Sequence, residues 1–329
     1  MKQENHNVLL QREPQSFEFR KNTFRIVYHC YEDSDTHNAY TTTALDELNL
    51  SQIHNQYRQK YALPFPDEIR FLREQYGLSA AKMSKLLGFG GNQYRLYEDG
   101  EMPSVSNGKM IASLKNPDFF KALFEQATHE FTAVEASRIR KRAEECISLK
   151  KQPENQRYQF IFKPHAPYRC DTNGYASVDP EKIRQVILFF VNQLEGVVET
   201  KLNKLLFYAD FFAYKTFGKG LTGLQYQAIS YGPVPLHYAT IYENLEGLQK
   251  DLQEFGSGYV GSVISSTDVF DNKLFNKEEL SVLHTVANNF KHVSAVEISK
   301  ISHNEDAWIA NKDLRSVISY NHAFTLKGL

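Results

Sequence analysis

Cysteine is scarce in this 329-residue chain: Cys30, Cys146 and Cys170 stand far apart. An odd, scattered set excludes a disulfide framework and a four-thiolate zinc site, and fits a reducing cytoplasm. Long hydrophobic runs are also missing. The longest, Val186-Ile187-Leu188-Phe189-Phe190-Val191, is far too short to span a bilayer. The opening residues MKQENHNVLLQREP lack the apolar stretch of a secretory signal, so a cytoplasmic location is expected. No charge of one sign dominates, since 38 Lys plus Arg face 39 Asp plus Glu for a net −1. Any nucleic-acid binding must therefore come from a local surface. Catalytic signatures are absent too. There is no nucleophile elbow, HExxH, phosphate loop or paired-cysteine spacing. Gly256-Ser257-Gly258-Tyr259-Val260-Gly261 has no strand before it and no helix after it, so it reads as a flexible loop. No enzymatic activity, cofactor or metal is expected.

What is present is ordinary globular material. Hydrophobic residues make up 42% of the chain, and the length suits two domains or three. A mainly α fold is expected, with a small β-hairpin over 16–31. Its apolar residues are Phe17, Phe19, Phe24, Ile26 and Tyr28, and its turn is Arg20-Lys21-Asn22. A polar loop over 31–43 leads to a helix through Leu45, Leu48 and Ile53. Several short helices follow between 63 and 126. Pro64 and Pro66 mark the first entry, Gly77 a stop, Ser79 a cap, and Gly88-Phe89-Gly90-Gly91 a turn. Residues 127–170 read as a helix and linker, broken at Pro153, Pro164 and Pro167.

Beyond about 175 the spacings of 3 and 4 among Ile183, Val186, Ile187, Phe190 and Leu194 predict an amphipathic helix. So do those among Leu202, Leu205, Leu206, Ala209 and Ala213, and those among Leu280, Leu283, Val286 and Phe290. Leu224, Tyr226 and Ala228 alternate as a short strand. Tyr231-Gly232-Pro233 turns the chain into a helix over 238–248. Four segments result: 1–56, 57–128, 129–174 and 175–329.

The stretch 67–100 has the form of two short helices joined by a glycine-containing turn. Tyr94 and Tyr97 share the inward face of the second, while Asn92, Gln93 and Arg95 lie elsewhere on the wheel. Asn and Gln suit adenine edges and Arg suits guanine, at roughly 1–3 kcal/mol of discrimination per bidentate pair. Lys82, Lys85 and Lys109 complete a candidate DNA footprint, helped by the basic run Arg138–Arg142. Against this stand equal numbers of basic and acidic residues over 61–126. Glu98 reads as a structural partner at the helix end. An undecorated helical bundle fits the same pattern.

The runs Tyr57-Arg58-Gln59-Lys60-Tyr61-Ala62-Leu63-Pro64-Phe65-Pro66, Gly77-Leu78-Ser79-Ala80-Ala81-Lys82-Met83-Ser84, Leu87-Gly88-Phe89-Gly90 and Tyr97-Glu98-Asp99-Gly100-Glu101-Met102-Pro103-Ser104 resemble the helix-turn-helix of MqsA/YgiT-type antitoxins, a branch of the Xre-like repressors. The resemblance implies an operator-binding homodimer reading DNA with Asn92. The family's next arginine falls where this chain has Leu96, with Arg95 one residue earlier. It also implies an N-terminal zinc module, of which only Cys30, with His29 and His37, could be a remnant. That segment is expected to be a degenerate, metal-free version.

Further on, Lys201-Leu202-Asn203-Lys204-Leu205-Leu206-Phe207-Tyr208-Ala209-Asp210, then Ala228-Ile229-Ser230-Tyr231-Gly232-Pro233-Val234-Pro235, then Ile298-Ser299-Lys300-Ile301-Ser302-His303-Asn304-Glu305-Asp306-Ala307-Trp308 are similar to the Panacea, or SocA-like, domain. This implies a mostly helical domain with a short β element that binds and neutralises a cognate toxin. The expected whole is an antitoxin that also represses its own operon. Two other readings remain open: a ligand-responsive transcription regulator, and a proteolytic adaptor for a bound partner.

Aromatic residues are enriched at interface centres. Tyr208, Phe212, Tyr214, Tyr231, Tyr238 and Tyr242 are therefore the candidate toxin contacts, while Phe207, Phe211 and Phe217 are expected in the core. His303, Glu305 and Trp308 are expected to form a buried hydrogen-bonded corner tying the helix near 295–302 to the chain end.

Overall fold

The computed structural model describes residues 8–152, 158, 160–165, 168–256 and 258–329. Pro153 and Pro167, expected breaks in the linker, lie outside these residues, as does Ser257 of the glycine-rich run. The fold is mainly α with small antiparallel sheets. Contacts divide the chain into two units, one of residues up to Ile53 together with Ile161–Leu329, the other His54–Phe160. This grouping differs from a four-segment partition because the N-terminal hairpin is built into the first unit.

That hairpin pairs β1 (Val8–Phe19) with β2 (Asn22–Asp33), and β3 (Ala39–Tyr40) adds to β2. The turn residues Arg20 and Lys21 both have positive φ, the geometry of a two-residue primed turn matching the strands' twist. The hairpin starts at Val8 rather than 16. The expected polar loop is shorter, since β2 runs on to Asp33 and Tyr31 pairs with Tyr40. One helix, α1 (Thr43–Tyr61), fixes the hairpin through side-chain amides. Gln52 bonds both backbone groups of Val27, and Asn49 bonds both of His29. The His29 ring meets Phe324 edge-on at 4.7 Å. His29 is thus a packed histidine, and exposed His37 pairs with Glu32 at 2.9 Å. Among the described residues no group of His, Cys, Asp or Glu is placed to hold a metal ion.

The same unit is organised around one helix buried on nearly all sides. The elements are α8 (Pro180–Gln193), β4 (Val197–Val198), α9 (Glu199–Phe217), β5 (Tyr226–Ile229), β6 (Gly232–Pro235), α10 (Tyr238–Asn244), β7 (Gln249–Phe255), β8 (Tyr259–Ser265), α11 (Lys277–Phe290), α12 (Ala295–Ser302) and α13 (Asp306–Ile309). One sheet has the order β4-β8-β7, and β5 pairs with β6 and bridges on its other side to Val317 through Gln227. Every residue of α9 from Leu202 to Phe211 is buried, and α11, α12, β6 and the turn Tyr320–Thr325 pack on it. Two expectations change here. The strand β6 precedes a helix that stops at Asn244, and the glycine-rich run follows strand β7, with its Tyr259, Val260 and Gly261 forming the start of β8. No described helix is long and apolar enough to cross a membrane.

The other unit is helical. It contains α2 (Pro66–Gln75), α3 (Ala80–Leu86), α4 (Gln93–Glu98), α5 (Val105–Ser113), α6 (Pro117–Gln126) and α7 (Ala133–Lys150). Ser79, Ser104, Asn116 and Thr132 cap α3, α5, α6 and α7 through their side chains, satisfying amides that would otherwise lack partners. Its core holds Ile69, Leu72, Tyr76, Met83, Tyr94, Ile111 and Phe120. The Tyr76 ring lies over Phe120 at 3.5 Å. The buried phenols are not left unpaired: Tyr76 donates to the Leu114 carbonyl at 2.7 Å and Tyr94 to that of Ile69 at 2.8 Å.

Candidate functional site

Three polar residues, Lys204, Tyr208 and Asp210, lie on the buried helix α9, where chemistry demands a partner for each. Asp210 accepts from the Leu221 and Thr222 amides, both at 2.7 Å, and from the Thr222 hydroxyl at 2.5 Å and the Tyr226 phenol at 2.7 Å. Burial pushes its pKa up, and those donors pull it back. Tyr208 donates to Glu305 at 3.1 Å. Glu305 also accepts from the amides of Lys327 at 2.9 Å and Gly328 at 2.8 Å, so it holds the last described residues in place.

Lys204 has no exposure and donates to the Pro233 carbonyl at 2.8 Å. Burial lowers its pKa to about 7. Over it sits Gly232, with φ +100°. A methyl placed there would come 2.5 Å from Ser302 Oγ and 2.8 Å from Lys204 Cε. The Trp308 indole donates to the Ile229 carbonyl at 2.8 Å and stacks on His303 at 4.1 Å. The segments 201–210, 228–235 and 298–308, distant in sequence, thus close on one another around Lys204.

Beside this knot opens a groove of about 960 Å³. The turn at Gly196, β4 and the start of α9 form one wall. The chain from Lys291 to Lys300 forms the other, and Tyr231 and His303 lie between. Lys201, Lys291 and Lys300 face it, as does the half-buried His303, whose pKa burial and Lys204 push down. Sequence reasoning passed over this groove, since its lysines are scattered and read as solvated. The signal available was Tyr231, an aromatic at the turn between β5 and β6 that stays exposed while Gly232–Pro235 after it are buried.

The aromatic candidates divide. Tyr208, Tyr214 and Tyr242 are buried and hydrogen-bonded, to Glu305, Asn321 and Asn203 respectively. They are core residues and offer a partner no surface, which corrects their assignment as toxin contacts. Phe212 and Tyr238 are half-buried, and Tyr231 is 72% exposed. Phe207 and Phe211 are fully buried and Phe217 is half-buried.

In the helical unit, Asn92 and Arg95 are exposed at the start of α4, and Gln93 is half-buried. Lys109 is exposed on α5. Lys82 and Lys85 are tied to Glu135 and Glu130, which neutralises much of the proposed footprint. From the basic run on α7, Arg140 forks onto Glu125 at 2.7 and 2.9 Å. Glu98 is buried and accepts from Arg73 at 2.5 and 3.1 Å.

With this geometry in view, the comparisons with known proteins point to an antitoxin-like region. Residues 202–309 match the family model described as Antitoxin SocA-like, Panacea domain. The match runs from α9 through α13, takes in the knot around Lys204, and does not extend to 57–128. No curated protein and no solved structure matches the chain.

Proposed function

We propose that this chain is the antitoxin of a bacterial toxin–antitoxin pair. Its Panacea-like region holds a toxin by covering surface, with no chemistry performed by the chain itself. The observation that carries this reading is the match of residues 202–309, whose ends and interior are joined by the Lys204, Gly232 and Trp308 contacts into one packed body. Lys204, Tyr208 and Asp210 are each hydrogen-bonded within the fold, as expected of a scaffold. The test is growth: cells expressing the neighbouring reading frame should survive only when this chain is co-expressed. Equal growth with and without it would remove the reading.

The second part of the proposal is autorepression by a homodimer through 57–128. Asn92, Gln93 and Arg95 at the start of α4 support it, since recognition helices present their first turn to base edges. Lys82 and Lys85, held by glutamates, weigh against broad phosphate contact. Specificity then rests on few residues. Asn92→Ala with Arg95→Ala should abolish sequence-specific binding of the operon's promoter DNA at physiological salt while leaving toxin neutralisation intact. A normal gel shift by that double variant would refute the assignment.

A further inference from the structure

The groove beside the Lys204 knot combines features that the fold does not need. Four lysines of this unit pair with carboxylates, Lys182 with Glu279, Lys250 with Glu199, Lys273 with Asp271 and Lys327 with Asp306, while Lys204 and Lys215 donate to backbone carbonyls and Lys312 lies over the Trp308 ring. Lys201, Lys291 and Lys300 have no ion pair among the described residues, and all three face the groove. Lys201 is half-buried, and its ammonium reaches only the Lys291 carbonyl, at 3.3 Å. A partly desolvated ammonium without a counter-ion lies high in free energy, and an incoming carboxylate would relieve it with a charge-assisted hydrogen bond. Glu195 is the one carboxylate in the lining. The floor and lip are apolar as well: Tyr231 and Val296 are 72% and 64% exposed, with Phe255 nearby. An exposed aromatic among unpaired lysines is the composition of an anchor with a charged rim. At about 960 Å³ the space is far larger than one small anion and lies at the upper end of ligand pockets.

We propose that this groove is the docking site for an acidic segment of the partner toxin, with carboxylates against Lys201, Lys291 and Lys300 and an apolar side chain against Tyr231. This rests on the antitoxin reading and deepens it by naming the surface and the chemistry of what it receives.

The test uses the full chain in two arms. In the first, the neighbouring reading frame is co-expressed with the wild type or with K291E/K300E, two exposed positions where charge reversal leaves the core untouched. The expected result is rescue by the wild type, with co-purification reduced at least about tenfold in the double variant. Equal rescue and co-purification by both would overturn the groove and leave the antitoxin reading standing. No rescue by the wild type would overturn the antitoxin reading. The second arm measures the groove independently, by fluorescence anisotropy of a labelled peptide alternating Glu with Leu and carrying one Phe. Binding that weakens with salt, is lost in K291E/K300E and persists in Lys273→Glu supports the proposal. Equal binding of the same peptide with Lys in place of Glu, or indifference to K291E/K300E, overturns it.

Discussion

Lys204 donates its ammonium to the carbonyl of Pro233 at 2.8 Å from a position with no solvent exposure. Burial lowers its pKa to about 7, against 10.5 ordinarily. Below pH 7 the lysine is charged in both folded and unfolded chains, and the full desolvation cost falls on the fold. Between 7 and 10.5 the unfolded chain binds the extra proton, so stability rises with pH. Lys204→Met removes that dependence. Wild type should gain on the variant as pH rises from 7 to 9.5, by up to about 1.4 kcal/mol per pH unit. Trp308, the chain's one tryptophan, lies in the same unit, so its fluorescence in urea titrations reports this unit alone. Parallel curves at all pH values would refute the ionisation argument.

Gly232→Ala should destabilise the same unit by about 2–4 kcal/mol, combining positive-φ strain with a clash. The backbone there has φ +100°, and the new methyl would meet Ser302 and Lys204. Gly90→Ala is the matching control, because its backbone is not in the left-handed region and nothing lies within 4 Å of the added carbon. Thermal unfolding should separate the two variants clearly.

Local signals explain which parts of this molecule are readable from sequence. Alternation brackets the Arg20-Lys21 turn, and Ser79, Ser104 and Asn116 stand as caps before apolar periodicity, so the helices from 66 to 126 are legible. The strands β6 to β8 are not. Their pairing depends on contacts distant in sequence, and β7 is exposed along nearly its whole length, leaving little hydrophobic pattern to read. Lys204 hides for a related reason. A lysine within a helix ordinarily marks the solvent side, and only the convergence of three remote segments buries it. Tyr208, Tyr214 and Tyr242 mislead in the opposite direction. Their hydroxyls suit an interface, but Glu305, Asn321 and Asn203 satisfy them internally.

Glu305→Ala should loosen residues 326–329 before it affects the rest of the unit. The carboxylate accepts two backbone amides there as well as the Tyr208 phenol. Its removal strands buried donors at a cost of about 1–3 kcal/mol. Hydrogen exchange at the Lys327 and Gly328 amides should accelerate by at least about tenfold, with α9 amides changing less. Unchanged protection at both positions would refute the anchoring role.

Glu98 and Arg95 lie on the same short helix and should fail in different ways. Glu98 is buried and takes two hydrogen bonds from Arg73, tying α4 to α2. Arg95 has 75% of its side chain exposed, and its contact with Asp99 at 3.8 Å is a surface pair of little consequence. Glu98→Ala leaves the Arg73 guanidinium without its main acceptor and should cost the helical unit about 2–4 kcal/mol. Arg95→Ala should leave stability within about 0.5 kcal/mol and show its effect only in binding promoter DNA. Circular dichroism during thermal unfolding reads the first effect, because this unit contains no tryptophan, and gel shifts read the second. A large drop in the unfolding temperature of Arg95→Ala would make that residue part of the scaffold and withdraw it from the proposed DNA surface.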